Sequence, residues 1–146
     1  MAKFVYRMQN VLNIKQKLET QAKMAYSIAN QKYLEEQQRL QEMIVRRVGY
    51  EKALREAVQG KLDIQNVTHA RENLNNMKTL VRRQMMEVHK AQKELDAARN
   101  ALNEVMQERK IHEKLREKAF DEFKQELAVA ETKEIDELVS YTYNNK

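Results

Sequence analysis

From Val67 to Leu102 an aliphatic residue stands at every seventh position: Val67, Leu74, Val81, Val88, Leu95 and Leu102. A companion ladder three residues on runs Ala70, Met77, Gln84, Ala91, Ala98 and Val105. Eleven of these twelve positions are apolar, Gln84 being the exception. A seven-residue repeat sustained this long is the pattern of a left-handed coiled coil, in which one apolar seam must be covered by a second helix. Composition points the same way. The 146 residues include no Pro, Gly only at positions 49 and 60, no Trp, and 34% charged side chains. Helix breakers and turn builders are nearly absent, which leaves little room for a β-sheet. With aromatic residues at 6%, burial has to come from aliphatic side chains along an extended seam.

The covering helix is sought in the first half. Val11, Ile14, Leu18, Ala25 and Ile28 fit one heptad frame. Tyr33, Leu40, Met43, Tyr50, Leu54 and Ala57 fit another, displaced by one residue. Glu19 to Lys23, Glu35 to Arg39, Glu42 to Arg46 and Glu51 to Arg55 are acidic-to-basic pairs in the favourable i,i+4 order, each worth ~0.3 kcal/mol on an exposed helix face. Gly49 lies inside this pattern, either for a close backbone approach or simply tolerated. The chain offers one reversal, at Gly60, which suits a left-handed helix C-cap, with Asp63 placed to cap the next helix. The expectation is an all-α fold spanning residues 1–146 as a single antiparallel two-helix coiled-coil hairpin: helix one about 3–58, turn about 59–62, helix two about 63–141. At 1.5 Å per residue the arms would be roughly 85 and 115 Å long, leaving about 20 residues of helix two without a partner. After Val105 the seam meets Arg109 and His112 and resumes in a new phase at Phe120, Phe123, Leu127 and Ala130, a discontinuity in supercoiling.

Charge divides the chain. Residues 121–146 hold seven acids and three bases, whereas residues 1–120 hold 24 bases and 15 acids. The overall charge of +5 identifies no partner, because bases and acids are interspersed.

Several function classes are set aside. Cys is absent, which removes disulfides, thiolate metal sites and thiol nucleophiles. No run approaches the ~18 apolar residues of a membrane span, and no signal-peptide pattern opens the sequence, so a soluble chain in a reducing compartment is expected. A two-helix hairpin has no deep pocket, so the chain is not expected to be an enzyme and carries no cofactor pattern. His69, His89 and His112 are too far apart to share adjacent turns. His112-Glu113 begins like a zincin helix, but Arg116 stands where the second ligand belongs. The doublets Arg46-Arg47, Arg82-Arg83 and Arg109-Lys110 are scattered among acids, unlike a basic zipper, so nucleic acid is not expected as a partner. The first 28 residues come nearest to a membrane-surface helix, but their apolar stripe is assigned to the hairpin seam. Tyr26, Tyr33 and Tyr50 read as seam fillers, and Met43, Met77, Met85 and Met86 as either seam filler or an adaptable docking surface.

Both ends of the chain resemble the FliJ family of flagellar type III export proteins. The opening Phe4-Val-Tyr-Arg-Met-Gln-Asn-Val-Leu12-Asn-Ile-Lys15 is similar to the family's early aromatic, basic residue and leucine ahead of a long helix. The closing Glu131-Thr-Lys-Glu-Ile-Asp-Glu137 is similar to its acidic C-terminal signature. The resemblance implies a coiled coil similar to the γ stalk of rotary ATP synthases. It also implies a cytoplasmic component, peripheral at the inner membrane when assembled, that enters the pore of the hexameric flagellar export ATPase, promotes its assembly and activity, and works with the cytosolic part of the export gate membrane protein and with export chaperones. By matching position, Phe4, Arg7, Leu12, Lys133, Glu134, Asp136 and Glu137 would face the ATPase. Met43, Tyr50, Met77 and Gln84 would be nearest the family's gate-contacting patch. A hairpin should be a monomer alone. A plain structural or tethering coiled coil, or the equivalent stalk of a virulence-type secretion system, are the alternatives.

Overall fold

The computed structural model describes residues 2–144, so Met1, Asn145 and Lys146 of the expected 1–146 span lie outside it. Among the described residues the chain is all-α: α1 runs Gln9–Ala57 and α2 Ile64–Asn144, 49 and 81 residues long. They form an antiparallel hairpin with unequal arms. The polypeptide divides into two compact units, one combining the described parts of Met1–Gln21 and Asn103–Lys146, the other Ala22–Leu102.

In the Ala22–Leu102 unit the reversal lies between Ala57 and Ile64. Val58 N–H still donates to the Leu54 carbonyl at 3.2 Å, and Gln59 N–H to Glu56 at 3.2 Å. Gly60 then takes φ +77°, the left-handed conformation that glycine adopts without a Cβ penalty. The Asp63 carboxylate accepts from Gln65 N–H at 3.0 Å, satisfying one of the free donors that open α2. Both ladders of α2 face α1: Leu74, Met77, Val81, Gln84, Ala91 and Leu95 are buried, and Val67, Ala70, Val88 and Ala98 are half-buried. Opposite them α1 presents Tyr26, Tyr33, Leu40, Arg47 and Leu54 on one ladder and Ala22, Ala29, Glu36, Met43 and Ala57 on the other, where Tyr50 completes the seven-residue spacing but is exposed. The polar exception Gln84 is satisfied within the seam: its Nε2 donates to the Glu36 carbonyl oxygen at 2.9 Å and to the Glu36 carboxylate. Gly49 has open space where a Cβ would stand, so it serves no close approach.

In the other unit the frame expected for residues 11–28 is displaced. Leu12 and Glu19 are buried and Lys15 half-buried, while Ile14, Leu18, Ala25 and Ile28 are exposed. The α1 seam therefore keeps the frame of residues 33–57 down to Leu12. It does so because Arg109 of α2 is there to receive the Glu19 carboxylate. Helix one also begins at Gln9 rather than near residue 3. No Ser, Thr, Asp or Asn stands between Lys3 and Gln9 to cap a start there. Phe4 instead lies against Phe120 and Phe123, with ring centroids 5.0 and 5.5 Å apart.

Candidate functional site

The end of the hairpin where α1 enters is the most differentiated part of the surface. Its floor is built from polar partners across the two helices. Lys15 Nζ meets Glu108 Oε2 at 2.7 Å, and that hydrogen bond, reinforced by the charge of Lys15, holds the Glu108 carboxyl below the ordinary carboxylate range. Arg109 bonds Glu19 across the seam and Glu113 one turn along α2, the latter at 2.8 Å. Both bonds, Glu19 foremost, raise the guanidinium pKa further, so its charge is permanent. Arg116 Nε donates to the Gln9 side-chain oxygen at 2.9 Å and lies 5.5 Å from the Phe4 ring centroid. The seam thus runs through Arg109 and His112, both half-buried, into Phe120, Phe123 and Leu127.

Beyond Leu127 the character changes. Every described residue from 128 to 144 is exposed, although α2 continues as regular helix to Asn144. This bare stretch carries Glu131, Glu134, Asp136 and Glu137 against a single base, Lys133. It also exposes Val129, Ile135, Leu138, Val139, Tyr141 and Tyr143. Glu122, Gln125, Glu126, Val129, Ala130 and Lys133, all exposed, share one face of the helix that leads onto it.

The residues singled out in the sequence fall into three settings. Lys133, Glu134, Asp136 and Glu137 stand free on the bare helix, and Arg7 is exposed near the start of the chain. Phe4 and Leu12 belong to the packing of the same end, Phe4 on the α2 phenylalanines and Leu12 in the seam. Met43 and Tyr50 reach the surface of α1, half-buried and exposed respectively, whereas Met77 and Gln84 are buried between the helices and offer no docking surface. Sequence reasoning missed Glu19, Lys15, Glu36 and Arg47 as seam positions, because a search for apolar repeats passes over charged residues. Their heptad spacing from Tyr26 and Tyr33 was the available signal. Among the described residues no group of three His, Cys, Asp or Glu could hold a metal ion. No helix there is long and apolar enough to cross a membrane.

The described residues define a two-helix hairpin protein whose longer arm ends in a helix of exposed acidic and apolar side chains. The Flagellar FliJ protein family matches residues 4–146, essentially the whole chain. The chain belongs to the FliJ family, which places it among flagellar export proteins. No curated protein and no solved structure matches it.

Proposed function

We propose that this protein is the stalk-like partner of the hexameric flagellar export ATPase, entering the ring by the end that carries both termini and promoting ring assembly and hydrolysis. The observation that carries this reading is the bare α2 segment, residues 128–144, with four acids to one base and no covering helix. A basic ring lining would complement it, and such complementarity fixes orientation and register more than it adds affinity. Lys133, Glu134, Asp136, Glu137 and Arg7 are the contact residues in this reading. Phe4 and Leu12 act through packing, by holding the first residues of the chain against α2. The protein has no hydrolytic activity of its own and binds no nucleic acid. It works as a single hairpin per ring in the cytoplasm, peripheral to the inner membrane within the assembled apparatus. Contacts with the cytosolic part of the export gate protein fall to Met43 and Tyr50 on α1, since Met77 and Gln84 are committed to the seam. Export chaperones share the exposed surface. The test is a hydrolysis assay of the cognate ATPase with increasing amounts of this protein. Stimulation reaching its plateau by about one copy per ring supports the reading, and an unchanged rate with no co-sedimentation overturns it.

A further inference from the structure

The unit that combines the two chain ends is held together differently from the Ala22–Leu102 unit. The buried apolar residues Leu74, Met77, Val81, Ala91 and Leu95 all lie in the latter, and among its described residues the terminal unit buries Leu12 alone of this kind. Along residues 9–21 the bonds that reach α2 are polar: Gln9 with Arg116, Lys15 with Glu108 and Glu19 with Arg109. The aromatic contact comes at the far end, where Phe4 lies against Phe120 and Phe123 and beside the Arg116 guanidinium. Residues 2–21 thus form a strap across α2, fastened by rings at its tip and by polar bonds along its length. The strap ends at Gln21, the boundary of the unit.

We propose that this strap opens as one piece, uncovering α2 between Asn103 and Leu127 while the seam of the Ala22–Leu102 unit stays closed. Bonds of this kind make opening easy: a polar bond given up to the strap is replaced by one to water and contributes little net stability, whereas parting an aliphatic seam exposes apolar surface. Two features of α2 suit the open state. Arg109 keeps Glu113, one turn along its own helix at 2.8 Å, when Glu19 leaves. His112 Nδ1 is buried without a hydrogen-bond partner while the strap is closed, an unfavourable state that water relieves on opening. Opening uncovers Phe120 and Phe123, half-buried beneath Phe4, and joins them to the exposed helix that otherwise begins at residue 128. The strap is therefore an autoinhibitory cover: Phe4 governs how much of α2 is accessible. The proposal concerns the purified chain and does not rest on the ATPase reading.

The experiment is amide hydrogen exchange of the full chain, followed residue by residue by NMR. Residues 13–21 should share one protection factor, at least about tenfold below that of residues 26–47, because exchange reports the free energy of the opening that exposes each amide. Phe4→Ala should lower protection throughout 13–21 by at least about fivefold, the effect of losing two ring contacts, and leave 26–47 unchanged. His112→Leu should act in the opposite direction on the same residues, raising their protection about fivefold by removing the unbonded nitrogen, again with 26–47 unchanged. The unchanged stretch shows that each variant still folds. Protection that falls off gradually toward Gln9 is ordinary fraying of a helix end and overturns the proposal. A Phe4→Ala effect confined to residues before Asn13, or shared equally by both stretches, overturns it as well, and so does lowered protection of 13–21 in His112→Leu.

Discussion

Arg109 takes carboxylates from two directions, Glu19 across the seam and Glu113 along its own helix. Breaking that arrangement from the Glu19 side leaves a half-buried guanidinium with one partner fewer, so Glu19→Leu should lower the melting temperature even though it adds an aliphatic residue to the seam. The two glycines behave oppositely for equally local reasons. Gly49 sits mid-helix with open space at its Cβ position, and Gly49→Ala should raise stability by about 0.5–1 kcal/mol in a denaturant titration. Gly60 holds φ +77°, and Gly60→Val should lower stability by about 1–2 kcal/mol through the left-handed strain. Acid acts on Glu108. Its carboxyl is held below its ordinary range by Lys15, so its contribution is complete above the unfolded-state pKa of about 4.3 and is lost as pH falls through the lower folded value. Melting temperature should therefore drop below about pH 4.3, and by less in Glu108→Gln. An equal drop in both proteins would mean that this pair carries no linkage.

At the scale of the helix, the two arms differ in how plainly the sequence declared them. The α2 ladder from Val67 to Val105 was readable because its rungs are aliphatic, and the structure buries or half-buries all of them. The α1 frame was misread between residues 11 and 28 because the seam there includes Lys15 and Glu19, whose partners Glu108 and Arg109 lie some ninety residues away. Apolar periodicity picked up Ile14, Leu18, Ala25 and Ile28 instead, a true stripe on the wrong face. Likewise Arg109 reads as a break in the α2 seam but is a rung of it. Candidate docking residues were legible where they lie beyond the hairpin, as with Glu134 and Asp136. They were not where heptad position overrides chemistry, as with Met77. Polar rungs have a consequence for register. Gln84 and Glu36 are matched across the seam, and a matched polar layer selects one alignment at a cost in stability. Gln84→Leu alone should destabilise, since the Glu36 carboxylate keeps Arg39 on its own helix, at 3.2 Å, but loses its donor across the seam. Glu36→Leu with Gln84→Leu should stabilise by about 1 kcal/mol or more while admitting misaligned or intermolecular pairing, visible as mixed masses. Single and double variants shifting in the same direction would show that the two residues do not act as a layer.

For the whole molecule, the division of labour between folding and docking can be separated by truncation. Seam burial ends at Leu127, and every described residue beyond it is exposed. Removing residues 128–146 therefore takes away no buried side chain among the described residues and leaves the Phe4, Phe120 and Phe123 cluster in place. The truncated protein should unfold at nearly the same denaturant midpoint as the full chain, with helicity reduced only in proportion to its length. In the proposed role it loses its acids at the ring, so its stimulation of the export ATPase should fall. Salt separates charge from shape. If Glu131, Glu134, Asp136 and Glu137 steer the end into a basic lining, raising the ionic strength should weaken stimulation by the full chain toward the truncated level, because exposed charges are screened within about 8 Å at physiological salt. The truncated protein should respond much less to the same change. Equal stimulation by both proteins at low and high salt would remove the acidic segment from the ATPase contact and leave Arg7 and the Phe4 segment as the surface to test next.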